Sequence, residues 1–554
     1  MLESCPGESV HSGAGASQGV RVVMFSPLPY NKNSPEELYE FLNQAETTDL
    51  VPEQLLEYMG VLIDLSFDLK RKEGLELAIK WGDEIARRGL NQVNLPLFHY
   101  FRANAWSCLW NLLVHFEKNY SGWDWEQEEA EKEIFYLRSA LIESTFKNLD
   151  SYRQCQILTN LGNRYDTFGR FVEAQEYWGR ALAINPQFGM ALGNRGLGLW
   201  HYASALYDPG HATVFLKFAL NDLNQSLETQ TDDPGAKVVY KRKRDEILSH
   251  SPKLVTEELN LSNFLLGETD DEIHYRKWCL KDRLFLNPLN DLGEYPIAAT
   301  DIFSLPDIVY KIEEGPYYHG FFDQLKQEYV SARYAFYQGT TIRDVHFSDK
   351  EVLVYNTLDY PVYSLAIERV KGAYRTAYSI FDKIAFFLNT YLHLGIPERN
   401  ISFRSIWYQK TQRKLGLRED MSQRRNWGLR GLFWLSKDLF EEKGGFKDTT
   451  EPDARSLSEI RNYLEHKYLK IHDELWGGIE KQKVGDLKSG VFKYPIGHSL
   501  HRKDFHAKTL RLLKLARAAM IYLSLAIHQE ERLKKSSGIN IPMFMDRFDD
   551  GWKT

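Results

Sequence analysis

Residues 158–200 read "LTNLGNRYDTFGRFVEAQEYWGRALAINPQFGMALGNRGLGLW", and this stretch decides what kind of fold the chain adopts. Leu158, Asn160 and Gly162 recur 34 residues later as Leu192, Asn194 and Gly196. Within the first unit, small residues at Gly162, Ala174 and Ala181 let paired helices approach closely, and interleaved aromatics fill the space between them. Pro186 ends the second helix of the unit, because proline cannot continue the backbone hydrogen-bond ladder. A single unit cannot bury its own apolar face. Several such units are therefore expected over residues 34–250.

The inner spacing of Leu161, Gly162, Tyr165, Gly169, Phe171, Ala174, Trp178, Ala181 and Pro186 resembles the tetratricopeptide pattern. "GLELAIKWGDEIARRGL" (74–90) resembles a degenerate second helix of an earlier unit. The resemblance implies a helical solenoid whose concave face takes a protein or peptide partner. Helical patterning begins at "SPEELYEFLNQ", where Ser34 suits an N-cap and Pro35 a first helical turn. Residues 1–33, rich in Gly, Ser and Ala, read as a disordered tail. Their "SGAGASQG" lacks the GK[ST] ending of a phosphate loop, and nothing in them resembles a secretory signal.

A chain of 554 residues is too long for one core, so roughly two or three domains are expected. Hydrophobic residues at 43% and charged residues at 26% are ordinary for a globular protein, and no apolar run approaches the ~20 residues that span a bilayer. A net charge of −7 gives no chain-wide nucleic-acid signature, so any RNA-binding surface must be a local basic patch. The four cysteines, Cys5, Cys108, Cys155 and Cys279, lie far apart and form no CxxC pair. That argues against a disulfide framework or a cysteine zinc site and fits a reducing, cytoplasmic setting.

Texture changes after "YKRKRDEILSHSPKL". Residues 251–345 read as a connecting helical segment and residues 346–540 as a helical bundle built on long helices near 364–394 and 503–533. Little of the chain alternates like strand, so the fold class is all-α. Between the long helices, "LSEIRNYLEHKYLKIHDELW" (457–476) predicts one amphipathic helix with Leu457, Ile460, Leu464, Ile471 and Leu475 on its apolar stripe. Ser456 and Glu459 match a capping box, which makes Glu459 a cap. His466 falls on the opposite face with Glu459 and Asn462, and Arg461 lies at the edge. Arginine offers a fixed fork of donors to a phosphate, and histidine exchanges protons near neutral pH. Scission of an RNA strand needs both. One helix makes a sparse site, whereas two copies across a symmetric dimer would bring two arginines and two histidines to one cleft.

"RNYLEH" resembles the R-x4–6-H motif of the HEPN superfamily, in which an Asn, Asp or His often follows the arginine; here Asn462 stands there. "YRKWCLKDRLFLNPLNDL" and "LKQEYVSARYAFYQG" also resemble bacterial proteins that join tetratricopeptide repeats to a HEPN domain, so the likeness covers roughly residues 275–535. It implies an endoribonuclease that needs no metal or cofactor, works as a homodimer and leaves 2′,3′-cyclic phosphate ends. Many relatives are toxins or phage-defence effectors. By matching positions, Arg461 would hold the phosphate, Asn462 would orient the pair, and His466 would be the general acid or base. Some HEPN domains only bind nucleotide or dimerise, which leaves a repeat-based adaptor as the rival reading.

Two further clusters stand out. "FRSIWYQKTQRKLGLREDMSQRRNWGLR" (403–430) interleaves basic residues with aromatics, a composition suited to single-stranded RNA. Arg404, Lys410, Arg413, Lys414, Arg424, Arg425 and Trp427 are its candidate contacts, set against the plainer alternative of a solvated face with aromatics turned to the core. "GHSLHRKDFH" carries His498, His501 and His506, but no acidic or cysteine partner completes a zinc pattern. These are expected to be surface or capping histidines. No nucleophile elbow, dinucleotide fingerprint or helix-turn-helix is present.

Overall fold

The computed structural model describes residues 34–229, 233–256, 258–311, 313–355, 359–411, 414–441, 446, 448–473, 497–534 and 541–553. The expected tail at 1–33, Cys5 and the end of the 457–476 segment lie outside the described residues. Helices dominate, and the fold is all-α with two small two-stranded sheets among the described residues.

The first helices are α1 (Pro35–Asn43), α2 (Pro52–Asp68), α3 (Lys72–Arg88), α4 (Leu95–Phe116) and α5 (Glu128–Ile142). There follow α6 (Ser151–Thr167), α7 (Phe171–Ile184), α8 (Gly189–Ala205), α9 (Pro209–Glu228) and α10 (Pro234–His250). Ser34 caps α1 as expected, its hydroxyl accepting from Glu37 N at 3.2 Å. Short turns fold α2 on α3, α6 on α7 and α8 on α9, and a longer loop, 117–127, folds α4 on α5. The repeat residues explain the close fit of α6, α7 and α8. Trp178 is fully buried and donates from Nε1 to Asn163 Oδ1 at 2.9 Å. A Cβ on Gly162 would stand 2.7 Å from that indole nitrogen, and one on Gly198 would stand 2.4 Å from its ring. The two glycines make room for the tryptophan that holds three helices together.

The second half runs through α11 (Asp270–Lys281), α12 (Tyr317–Thr341), α13 (Leu365–Tyr391) and a hairpin of β1 (Tyr408–Thr411) with β2 (Lys414–Leu417). Then come α14 (Glu419–Ser422), α15 (Trp427–Ser436), α16 (Ala454–His466), β3 (Tyr468–His472), β4 (Gly497–His501) and α17 (Arg502–Leu533). α12 lies along α13, and α17 packs against α12, α13 and α15. One apolar core runs unbroken from Tyr100 to Ile527, and a smaller one lies among α1–α4.

The segment 457–476 is not one helix. α16 ends at His466, and the chain turns into β3, which pairs in parallel with β4. "YLKIH" is rich in aromatic and aliphatic residues, and it buries Leu469, Lys470 and Ile471 together in the strand. The helix also starts earlier than the capping box implies. Asp453 is its N-cap, Ser456 and Glu459 lie inside it, and Glu451 Oε1 accepts from Asp453 N at 3.1 Å. Glu459 is therefore an exposed helical residue and not a cap.

α15 is the element that joins the halves. Every residue in it is buried. A Cβ on Gly431 would lie 2.2 Å from Gly169 O in the turn between α6 and α7, and one on Gly428 would lie 2.7 Å from Tyr522 O and Ala526 N of α17. Gly169 itself closes α6 at φ +81°, a left-handed cap that glycine adopts without strain. Backbones thus meet on both sides of α15 with no side chain between them. Gly428→Ala is expected to lower stability by about 1–3 kcal/mol, the usual cost of overpacking, and to be read as a lower Tm with the helical content unchanged.

Just beyond α15, Asp438 is fully buried between two arginines of the first half. Arg138 of α5 holds both carboxylate oxygens, at 2.6 and 2.8 Å, and Arg170 Nη2 reaches Oδ2 at 2.6 Å. The two guanidinium groups hold the Asp438 pKa well below the usual carboxylate range, although burial alone would raise it. Arg138 also donates to Thr450 O at 2.9 Å, and Thr450 Oγ1 donates to Asp438 at 2.6 Å. Residues 438 and 450 are thereby fastened to the same point.

Candidate active site

α16 is fixed to α13 at both ends. Leu457, Ile460 and Leu464 are buried, Tyr374 donates from its hydroxyl to Leu457 O at 2.7 Å, and Arg375 Nη2 donates to Leu464 O at 2.6 Å. That anchoring turns the polar face outward: Glu459, Asn462 and His466 are exposed, as the helical spacing predicts. His466 closes the helix because Lys467 is extended, at φ −144° and ψ −160°.

A cleft of about 830 Å³ opens on this face and contains Arg461, Asn462 and His466 together. Its opposite wall comes from residues 399–404 and 439–441. Arg399, Arg404, Arg455 and Arg461 line it against the carboxylates of Asp382, Glu441, Glu459 and Glu465. Arg461 lies with its guanidinium 4.7 Å above the Tyr378 ring and 3.4 Å from Asp382 Oδ2, so α13 aims it. It keeps 44% of its side chain exposed, leaving most of the donor fork to a ligand. Burial raises the Asp382 pKa and Arg461 draws it back. A site holding a half-free arginine, an amide and a histidine at the mouth of a charged cleft can bind a phosphodiester and exchange protons with it.

Tyr378 and Asp382 were not legible as site residues. Their signal was a lone carboxylate, one turn from a tyrosine, in the largely apolar run "YSIFDKIAFF". Arg399 and Arg455 carried no local signal at all.

The basic segment 403–430 does not stay together. Arg404 lines the cleft but is only 5% exposed, donating from Nη2 to Asp448 O at 2.8 Å while its Nε and Nη1 make no hydrogen bond. Trp427 is 8% exposed, stacks on Phe171 at 4.3 Å and donates to Asp166 O at 3.2 Å. It fills the junction between the halves, so its ring is not open to a base; the alternative of aromatics turned to the core describes it. Arg424 pairs with Glu530 and donates from Nε to Asp420 O at 3.0 Å. Arg425 is exposed over the Trp123 ring at 5.8 Å, and Lys410 is exposed on the β1–β2 hairpin. None of Lys410, Arg424, Arg425 or Trp427 lines the cleft. Arg413 lies outside the described residues, as does the side chain of Lys414.

Of the other histidines, His498 stacks on Tyr463 at 5.1 Å and His501 pairs in register with His472. Among the described residues no three His, Cys, Asp or Glu side chains form a metal-ligating group. His506 is half-buried, and burial with the nearby Arg502 lowers its pKa to about 4; His99 is likewise lowered to about 4 by burial beside Arg102. Unfolding frees both to bind protons from pH ~6.5 downward. Their contribution to stability is present above that pH and is lost as the pH falls toward 4. Acid titration of Tm is expected to show a decline across this window that is shallower in His506→Gln.

Residues 309–530 match the family model described as LA2681-like HEPN. The match takes in α12 to α17 as far as Glu530 and supports a HEPN domain in the C-terminal part of the chain. A HEPN domain indicates a nuclease-type or nucleotide-related role. Comparison with curated proteins and with solved structures found no match. No described helix is long and apolar enough to cross a membrane.

Proposed function

We propose that the protein is a metal-independent HEPN endoribonuclease, a toxin or phage-defence effector, whose helical-repeat half senses a partner or restrains the nuclease. The observation that carries this reading is the convergence of Arg461, Asn462 and His466 in one charged cleft. Arg461 binds the scissile phosphate, and His466 moves the proton at the 2′-hydroxyl or the leaving 5′-oxygen. Asn462 orients them. Attack by the 2′-hydroxyl on phosphorus breaks the bond to the 5′-oxygen, leaving a 2′,3′-cyclic phosphate on one fragment and a free 5′-hydroxyl on the other. The exposed polar face of α16 is open to a second copy, so a homodimer pairs two such motifs over one RNA.

Restraint rests on architecture. Residues 438 and 450, which bracket the cleft wall at 439–441, are fastened to Arg138 of the repeat half. A partner that shifts those helices moves the wall.

The test is incubation of the full chain with total RNA in EDTA, followed by mapping of the fragment ends. Cleavage that survives EDTA and leaves cyclic phosphates supports the reading. Cleavage abolished by EDTA, or ending in 3′-hydroxyls, overturns it.

A further inference from the structure

A second cavity, about 550 Å³, lies apart from the cleft between the end of α11 and residues 293–296, lined in part by Ser262, Lys281, Arg283, Glu294 and Tyr295. Its volume suits a small ligand. Three of the enclosed cationic groups near it have a carboxylate of their own, whereas among the described residues the exposed Lys281 and Glu294 and the half-buried Asp282 form no ion pair. Arg195 holds Asp222 at 2.6 Å, Arg517 holds Asp291 at 2.6 Å, and Lys514 holds Glu176 at 3.0 Å. Arg283 is left over: among the described residues no carboxylate comes within ion-pair distance of it, and its enclosed Nη1 makes no hydrogen bond.

The turn that closes α11 sets the position of Arg283, as like turns at Lys70 and His393 close other helices. α11 ends with Arg283 N bonded to Leu280 O at 3.1 Å and Leu284 N bonded to Cys279 O at 2.9 Å, a closing turn whose left-handed position is normally glycine. Arg283 occupies that position at φ +56°. Such a conformation in a non-glycine residue is unfavourable and persists where the surroundings impose it. The guanidinium then lies against α7, where a Cβ on Gly179 would stand 3.1 Å from Nη2. Burial pulls its pKa below the ordinary arginine value, opposed by the more distant Glu176 and Asp291. An anion in the cavity would restore to Arg283 what burial removes.

We infer that this cavity binds a small phosphomonoester, with the phosphate on Arg283 and Lys281 and the organic part against Tyr295. Arginine matches two phosphate oxygens at once, here through Nε and Nη2 since Nη1 is enclosed, and the exposed Lys281 adds a point charge at the rim. The Tyr295 ring, braced edge-on by Phe218 at 5.6 Å, offers a flat wall. Glu294, exposed at the mouth, repels a second phosphate and accepts from a sugar hydroxyl, which favours a monoester over inorganic phosphate or a polyphosphate.

Isothermal titration of the full chain with AMP, ribose 5-phosphate, inorganic phosphate and adenosine tests this. Either monoester, or both, is expected to bind and adenosine is not. Arg283→Gln is expected to weaken binding about tenfold to hundredfold, the loss that goes with one charged bidentate contact, and Lys281→Ala by less. If Arg283→Gln fails to fold, the exposed Lys281→Ala carries the test alone. Failure of both monoesters to bind, unchanged affinity in the variants, or inorganic phosphate binding as tightly as AMP would overturn the assignment. RNA cleavage plays no part in any of these readouts.

Discussion

Replacing His466 with alanine is expected to slow RNA cleavage by about 10²–10⁴-fold, the usual contribution of a positioned general acid or base, without moving Tm. The absence of a stability effect is as much part of the expectation as the loss of rate. His466 is exposed at the end of α16, and the helix is held by the buried Leu457, Ile460 and Leu464 and by Tyr374 and Arg375 from α13. Truncating it therefore removes chemistry and leaves packing alone. Arg461→Ala is expected to match it in rate. If two protomers build one site, mixing the two inactive variants restores part of the activity, because a mixed dimer carries one intact arginine and one intact histidine. A His466→Ala protein that cleaves RNA at the wild-type rate would remove this residue from the mechanism.

Asp438→Ala is expected to cost about 3–5 kcal/mol, the penalty for breaking a buried ion pair by removing one partner. Arg138 and Arg170 are 3% and 0% exposed, so neither guanidinium reaches water once the carboxylate is gone. The loss should appear as a large drop in the denaturant midpoint. Replacing all three residues together with apolar ones of similar size is expected to recover much of it, since buried ion pairs often exchange for packing at little net cost. A small effect of Asp438→Ala alone would mean that the arginines find other partners, for which Glu173 and Glu451 are the nearest candidates, at the Arg170 pair and at 3.5 Å from Arg138. The depressed Asp438 pKa also means that the clamp keeps its charge on acidification until the pH is below the usual carboxylate range.

What could be read in advance follows a physical pattern. The helical pairs of the first half were legible because small and aromatic residues at a fixed period describe a local packing unit, and Gly162, Gly198 and Trp178 fit together as that unit requires. The polar face of α16 was legible because helical spacing alone turns Asn462 and His466 away from the stripe. The end of that helix was not, since Ile471 also fits a continued helical stripe and only pairing with β4, across residues 474–496, makes it a strand. Trp427 misled for a related reason: basic neighbours suggest solvent, but Arg430 beside it is itself buried, donating to Thr167 O at 3.0 Å and Gly122 O at 2.7 Å. Asp438 was invisible, because its partners lie 268 and 300 residues away and no local pattern announces them.

That last separation matters while the chain is being made. Arg170 leaves the ribosome 268 residues before Asp438, an interval on the order of tens of seconds at ordinary elongation rates. Through that time Arg138 and Arg170 lack Asp438, Arg170 having only Glu173 beside it, and the apolar surface that packs on α15 is uncovered. The nascent first half exposes that surface for the interval, the condition under which aggregation competes with folding. A first half whose buried arginines meet Asp438 only after most of the second half has emerged completes its packing late in synthesis.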